Sequence, residues 1–154
     1  MHKLGVIWRA AGLLMATSAE SVVEVLPPVA WRPAPGAPIW VRGLFSYRAN
    51  LIPLIDTARL LDVPPEPDRM LNRVIVVRVD GDWLVGLWVE SVLELERIDF
   101  DAPGGHPGFA TEAGRFLGPV AQTPWGQVQL VDPRGLFTPD QIAVLTDRIT
   151  EGAA

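Results

Sequence analysis

The stretch Glu20-Ser21-Val22-Val23-Glu24-Val25 returns later in the chain as Glu90-Ser91-Val92-Leu93-Glu94-Leu95. A second phrase, Leu54-Ile55-Asp56, returns in the same order as Leu130-Val131-Asp132. The offsets between matching phrases lie between roughly 69 and 76 residues, which is too long for a solenoid repeat and fits a doubled small module. The sequence therefore predicts two related β units fused into one body.

Length and composition are those of one small globular domain. The chain has 154 residues, of which 49% are hydrophobic and only 20% charged, so there is ample apolar surface for a core. We interpret residues 1–154 as a single domain of two pseudo-repeated β subdomains, in the approximate sequence halves 4–68 and 72–150. The absence of cysteine excludes disulfides and thiolate metal sites, and the net charge of −5 argues against a nucleic-acid-binding surface. No stretch reaches the ~20 apolar residues that span a bilayer.

Short apolar segments separated by turn residues predict a mostly β fold. The Asp80-Gly81 pair between two apolar runs predicts a hairpin with a type I′ turn, because that turn needs positive φ. Glu20–Leu26 fits either a strand or a helical turn. Nine or ten short strands with frequent turns favour barrels or a sandwich. The candidate strands are Leu4–Ala10, Leu13–Ala16, Glu20–Leu26, Ile39–Phe45, Asn50–Ile55, Val74–Val79, Trp83–Glu90, Ser91–Ile98, Phe116–Gln122 and Gln127–Val131.

Two helical pieces accompany the strands. Asp56 stands where an N-cap would open a short helix over Thr57–Leu61, and Pro64-Pro65 ends it. Pro139–Ile149 carries apolar residues at helical spacing and predicts a closing C-terminal helix packed on the body. Between them, Val63–Arg69 is polar and predicts the linker between the two halves.

Residues that could carry catalysis or bind a metal do not converge in the sequence. His2 is terminal and His106 lies in a loop rich in Gly and Pro, so both are predicted to be solvated surface residues. No nucleophile–base pair or ligand set can be assembled, which predicts that the chain is not an enzyme and holds no metal or cofactor. An acidic stretch in the second half predicts a solvated or partner-facing edge. Its members are Glu90, Glu94, Glu96, Asp99 and Asp101.

Val41–Arg48 combines arginines with aromatic residues just before a buried strand. Gly43 predicts a bulge or a close backbone approach. Arg42 and Arg48, together with aromatic side chains that look exposed, fit an interface hot spot. They fit equally well a strand whose arginines run along its own surface, and composition does not separate the two interpretations.

Extended to Asp56, this stretch resembles the signature of the CheW family of chemotaxis coupling proteins. Val-Arg-Gly-Leu-Phe-Ser-Tyr-Arg-Ala-Asn-Leu-Ile-Pro-Leu-Ile-Asp, at residues 41–56, is similar to the family's apolar-x-Gly-apolar-x-Asn-Leu-Arg-Gly-x-apolar-x-Pro-apolar-apolar-Asp. Val22–Val25 resembles the family's Val-x-Glu-Val segment, and Val85–Val92 its Val-Gly-apolar-apolar-apolar-Asp-x-Val segment. The three motifs follow in order at the family's spacing, and the resemblance covers nearly the whole chain, roughly Leu4 to Leu145.

The resemblance implies both a fold and a role. Family members fold as two five-stranded β-barrels, related to SH3 barrels, packed around a shared apolar core. They are non-catalytic adaptors that couple chemoreceptors (methyl-accepting chemotaxis proteins) to a histidine kinase of the CheA type, whose regulatory domain has the same fold. The resemblance thus implies bacterial chemosensory signal transduction in the cytoplasm, at membrane-bound receptor arrays, in a motility pathway or in a divergent one with another output.

Carried over by position, the resemblance also implies site residues. Val22, Glu24, Gly43 and Arg48 are expected at or near the surface that meets the receptor, whose hairpin tip docks in the groove between the barrels. The kinase regulatory domain is expected to meet apolar strand ends and loops of one barrel. These expectations come from the resemblance alone.

The chain departs from the family motifs at four positions. Ser46 and Tyr47 stand where the signature has Asn and Leu. Ala49 stands where the family has Gly, which usually serves a positive φ or a close approach, and Ala adopts positive φ at a cost of about 1 kcal/mol or more. Glu90 replaces the family's Asp, which keeps the charge and adds length. These departures leave the expected fold intact and bear on the partner.

A small-ligand sensor is the alternative function. The groove between the barrels would then hold an apolar molecule among tryptophan side chains, although packing in cores or interfaces explains tryptophans more simply. The six tryptophans are Trp8, Trp31, Trp40, Trp83, Trp88 and Trp125.

Overall fold

The structure is a computed structural model that describes residues 2–64, 67–101, 116–136 and 140. The described part is mostly β, as the sequence predicted, and it includes a short helix, α1 (Thr57–Leu60), and 3₁₀ turns at Ala19–Ser21 and Pro133–Gly135. Apart from Asp140, the predicted closing helix at Pro139–Ile149 lies outside the described residues. The strands are β1 (His2–Ala10), β2 (Leu13–Ser18), β3 (Val22–Leu26), β4 (Val41–Tyr47), β5 (Asn50–Asp56), β6 (Arg73–Asp80), β7 (Trp83–Val89), β8 (Ser91–Asp99), β9 (Leu117–Thr123) and β10 (Gly126–Val131).

These strands form two five-stranded sheets of matching topology. Barrel A has the order β8-β1-β2-β10-β9, and barrel B has the order β3-β6-β7-β5-β4. Each contains one parallel pair, β2 with β10 in barrel A and β5 with β7 in barrel B, and the remaining neighbours are antiparallel. The predicted pair of five-stranded SH3-like barrels is therefore confirmed.

The barrels do not coincide with the sequence halves. Barrel A joins β1 and β2 of the first half to β8, β9 and β10 of the second, and barrel B joins β3, β4 and β5 to β6 and β7. The halves 4–68 and 72–150 contain the repeats, but they are not the two subdomains, because the repeats exchange strands. The exchange takes place after the 3₁₀ turn Ala19–Ser21, where the chain leaves barrel A and β3 pairs with β6 of barrel B.

Strand alternation fills three cores. In β1, Val6 and Trp8 point into a shared core between the barrels, whereas Ile7 points into barrel A. In β5, Leu54 points into barrel B and Ile55 into the shared core, and both are fully buried. The candidate strand Asn50–Ile55 is almost wholly apolar, and it is buried from position 52 onwards.

Carboxylates at the ends of the matching strands β5 and β10 cap short helical turns, and the first of these caps, Asp56, was predicted from the sequence. The Asp56 carboxylate accepts a hydrogen bond from the Arg59 backbone N–H at 3.2 Å, and the Asp132 carboxylate accepts one from Arg134 at 3.0 Å. Each satisfies a donor that a helix start leaves without a partner.

The hairpin predicted at Asp80-Gly81 exists, but its turn type was wrong. Asp80 pairs with Trp83, so the two central residues are Gly81 and Asp82. Of these only Gly81 has a positive φ, at 57°, which is the pattern of a type II′ turn.

Candidate partner-binding surface

Glu24, Tyr47 and Arg48 form a surface cluster at one end of barrel B. The Glu24 carboxylate oxygen Oε1 accepts a hydrogen bond from the Tyr47 hydroxyl at 2.6 Å and another from the Arg48 Nη2 at 3.2 Å. The Arg48 guanidinium also lies 5.0 Å from the centroid of the Tyr47 ring. Burial first, and then the hydrogen bond to Glu24, raises the pKa of Tyr47. The Glu24 carboxylate on edge strand β3 thus orients Arg48, which lies at the tip of the facing β4–β5 hairpin.

The tip of the β4–β5 hairpin is a tight turn made without glycine. Tyr47 pairs with Asn50, and the two central residues, Arg48 and Ala49, have φ values of 47° and 68°. Two positive φ values in a two-residue loop are the pattern of a type I′ turn, for which Asn-Gly is the favoured sequence. The positive φ considered for Ala49 from the sequence is therefore present, and the neighbouring arginine shares it.

Gly43 is buried against the connector that precedes β4. A Cβ atom at Gly43 would lie 2.2 Å from the Arg32 carbonyl oxygen and 2.9 Å from the Trp31 ring. Arg32 and Leu44 exchange two backbone hydrogen bonds of 2.8 Å each, and the register shifts between Val41 and Gly43. The predicted bulge and the predicted close approach are both present, so Gly43 serves packing between β4 and the connector.

Val22 also occupies a packing position. It pairs with Val77 of β6, is half-buried, and packs against the shared core. Of the four residues implied by the resemblance, the structure brings together only Glu24 and Arg48. It adds Tyr47, whose hydroxyl could be anticipated only by knowing that β3 and β4 face each other at this end of the barrel.

The aromatic residues of Val41–Arg48 are not exposed. Phe45 and Tyr47 retain only 2% and 6% of their accessible surface and pack in the barrel B core with Leu54 and Trp88. The hot-spot interpretation of this stretch is therefore wrong for its aromatic rings. Of the arginine and aromatic side chains that suggested a hot spot, Arg48 is the exposed one, with a side chain that is 66% exposed.

Arg42 differs from Arg48 in being a buried structural anchor. Its side chain is 13% exposed and forms ion pairs with Asp56 at 3.3 Å and Asp68 at 3.2 Å. Its guanidinium lies 4.4 Å from the Trp88 ring centroid and 5.9 Å from that of Trp31. This arginine ties the connector, β5, β7 and the linker to one point, and it is not available to a partner.

Two grooves open on the described surface. A groove of about 310 Å³ adjoins Arg48 and is lined on its apolar side by Leu51, Trp83 and Leu84. A larger groove of about 710 Å³ lies between the barrels, where Lys3, Arg78 and Arg134 alternate with acidic side chains. Arg48 lines the smaller groove, and none of the four residues implied by the resemblance lines the larger one.

The tryptophans do not converge on either groove. Trp8 and Trp40 are buried in the shared core, and Trp88 lies in the barrel B core. The Trp8 indole N–H donates to the Thr17 hydroxyl at 3.0 Å, as a packed tryptophan needs. No tryptophan lines the described part of the groove between the barrels, so the arrangement expected of a small-ligand sensor is not found there.

Among the described residues no three His, Asp or Glu side chains are grouped so that they could hold a metal ion. In those ranges, too, no helix has the length and apolar character needed to cross a membrane.

Comparison with known proteins gives consistent matches. The family model of the CheW-like domain matches residues 4–141. Protein PilI of Pseudomonas aeruginosa is 30% identical over 97 residues, which are 63% of this chain and 54% of that protein. Chemotaxis protein CheW of Helicobacter pylori is 28% identical over 78 residues, or 51% of this chain and 47% of that protein. Protein FrzA of Myxococcus xanthus is 29% identical over 91 residues, or 59% and 56%.

The chain spans about half the length of these relatives in the matched stretches. Among solved structures, the scaffolding protein TtCheW from Thermoanaerobacter tengcongensis superposes with a TM-score of 0.79 at 24% identity. The superposition covers 92% of this chain and 96% of that one. This likeness establishes the fold of two packed barrels.

Proposed function

Because the chain belongs to the CheW-like domain family, we propose that it is a non-catalytic adaptor that couples chemoreceptors to a CheA-type histidine kinase. It works by binding both partners at once, so that a change in receptor geometry reaches the kinase through a rigid connector. The exchange of strands between the barrels suits this role, because neither barrel can move as an independent unit. We place the protein in the cytoplasm, associated with membrane-bound receptor arrays.

The observation that carries this proposal is the oriented arginine at the end of barrel B. A guanidinium has five N–H donors in a fixed plane, and Arg48 donates one hydrogen bond, to Glu24, among the described contacts. Its side chain is held by Glu24 and Tyr47 while remaining 66% exposed. A partner that binds it therefore meets a side chain that has already lost part of its conformational freedom, which lowers the entropic cost of association.

The surroundings of Arg48 define the chemistry of the receptor surface that fits. The groove beside it offers Leu51, Trp83 and Leu84 to an apolar side chain, and Arg48 offers donors to a carboxylate or a backbone carbonyl. A receptor hairpin tip with an acidic or carbonyl group next to an apolar residue satisfies both. We assign Glu24 and Arg48 to direct contact, and Val22 and Gly43 to support of the surface from within.

The test is the affinity for a purified receptor signalling-tip fragment from the same organism. Arg48→Glu should weaken binding by about tenfold or more, because it replaces an exposed hot-spot donor with a repelling charge. Arg97→Glu is the matched control, since Arg97 is also an exposed arginine and lies on β8 of the other barrel. Unchanged receptor binding by Arg48→Glu, with wild-type thermal unfolding, would show that the receptor surface lies elsewhere.

A further inference from the structure

The internal repeat allows the surface of barrel A to be compared with that of barrel B position by position. The backbone N–H of Asp56 donates to the carbonyl of Trp40, and that of Asp132 donates to the carbonyl of Phe116, each at 2.8 Å. The hairpins β4–β5 and β9–β10 are therefore equivalent, and their tips correspond. Arg48 and Ala49 in barrel B match Pro124 and Trp125 in barrel A.

The edge strands β3 and β8 are equivalent in the same way. Each strand contains a register shift of one residue, and the residue directly after the shift is a glutamate. Glu24 pairs with Val76, which points into the barrel B core, and Glu94 pairs with Ile7, which points into the barrel A core. Glu94 therefore occupies, in barrel A, the place that Glu24 occupies beside the arginine in barrel B.

The two glutamates differ in what surrounds them. Tyr47, which donates to Glu24, is replaced by Thr123, whose hydroxyl donates to the Gly126 carbonyl. Arg48 is replaced by Pro124, which has no donor. Glu94 is exposed, and its carboxylate has no hydrogen bond or ion pair with any residue that the structure describes.

An exposed aromatic ring stands at the barrel A hairpin tip that corresponds to the Arg48–Ala49 tip of barrel B. Trp125 is 42% exposed at the tip of the β9–β10 hairpin, where barrel B has the small side chain of Ala49. The face of an indole ring is the best cation-binding surface among side chains, and arginine is its commonest cation. Barrel A therefore presents a carboxylate and a tryptophan where barrel B presents a carboxylate already neutralised by its own arginine.

We propose that the Glu94–Trp125 surface binds an arginine of the second partner, which takes the place that Arg48 fills within barrel B. The inference rests on the proposed adaptor function and names this partner as the regulatory domain of the kinase. Arginine fits better than lysine, because a planar guanidinium can hydrogen-bond the carboxylate while it stacks on the ring. The half-buried Glu96, two residues along the same strand, adds to the negative potential that an arginine would meet.

The experiment measures binding of the full chain to two purified probes, the kinase regulatory domain and the receptor signalling-tip fragment from the same organism. Trp125→Ala and Glu94→Arg should each weaken kinase binding by about tenfold or more and leave receptor binding within about twofold of wild type. Trp31→Ala is the matched control, because Trp31 is 45% exposed but lies on the connector beside barrel B. Thermal unfolding of each variant separates a lost contact from a lost fold.

The outcomes are distinct. Selective loss of kinase binding by both variants, restored for Glu94→Arg by an arginine-to-glutamate change on the kinase domain, supports the inference. Unchanged kinase binding in both variants overturns it and leaves the adaptor function standing. Failure of the wild-type chain to bind either probe overturns the adaptor function together with the inference.

Discussion

Cutting the chain between the repeats should leave two fragments that are unfolded alone and folded together. In barrel B, β6 and β7 lie between β3 and the β4–β5 pair, so fragment 1–66 keeps β3 as a single strand and β4–β5 as a hairpin. In barrel A it keeps only the β1–β2 hairpin. Fragment 67–154 likewise keeps β6–β7, β9–β10 and an isolated β8. An isolated hairpin is marginally stable at best in water, so neither fragment retains a sheet that can stand alone.

The affinity between the fragments follows from the stability of the intact chain. A domain of this length is stabilised by about 10 kcal/mol, at about 0.05–0.15 kcal/mol per residue. The peptide link supplies an effective concentration of about 1 mM, which is worth about 4 kcal/mol. The separated fragments should therefore associate with about 14 kcal/mol, a Kd on the order of 10⁻¹⁰ M or slightly below.

The assay is a specific protease site placed between residues 66 and 67. The cleaved protein should elute as one species of full mass, and each fragment purified under denaturant should show no cooperative unfolding after dilution. Mixing equal amounts should restore the near-ultraviolet circular dichroism of the buried Trp8 and Trp40. A monomeric fragment 1–66 that unfolds cooperatively by itself would refute the reasoning, because it would show that one repeat can close its own barrel.

Four smaller changes test particular contacts. Ala49→Gly should raise stability by about 1 kcal/mol and the Tm by about 2–4 °C in calorimetry, because Ala49 has a φ of 68°; an unchanged Tm would mean that the turn is not strained. Arg42→Met should cost about 3 kcal/mol by urea unfolding, since it removes a partner of the buried Asp56, and a cost under about 1 kcal/mol would contradict the anchor. Gly43→Ala should lower stability by about 1–3 kcal/mol through its clash with a carbonyl, whereas a neutral result would show that the connector yields. The pKa of Tyr47 is raised on folding, so its contribution to stability is complete below the unfolded pKa near 10 and is lost as the pH rises through the higher folded value; Tyr47→Phe should remove that extra alkaline loss in pH-dependent unfolding, and an identical profile would argue against the burial.

The strands and their caps were predictable because they depend on local pattern. Apolar alternation located the strands, and the position of Asp56 after an apolar run identified a cap that the structure confirms. The pairing of strands was not predictable in the same way. The apolar pattern of β3 is compatible with pairing either to β1 or to β6. The sequence of one repeat therefore contains no signal for the exchange. The choice depends on contacts far apart in the chain.

The two arginines of Val41–Arg48 show the same limit at the site. Arg42 is buried because Asp68 and Trp88, from the linker and from β7, reach it. Arg48 is exposed because it stands at a hairpin tip. Neither fact follows from the composition of the stretch. For that reason the composition fitted an interface hot spot and a strand with arginines along its own surface equally well. The motif resemblance named both Glu24 and Arg48, which the structure joins by a hydrogen bond, but it could not tell that Gly43 is packed against the connector.

The difference between the repeats separates what the fold requires from what binding adds. The fold holds Asp56 and Asp132 in equivalent places, with matching backbone hydrogen bonds of 2.8 Å, because each cap closes a barrel. The hairpin tips do not close a barrel, and at these tips the sequences of the two repeats differ. At the first tip, Arg48 and Ala49 both hold positive φ, at a cost of about 1–2 kcal/mol each, where Asn-Gly would hold the same turn with less strain. Backbone strain that the fold does not require points to a function of the side chain it displays, and at this tip that side chain is the exposed guanidinium of Arg48.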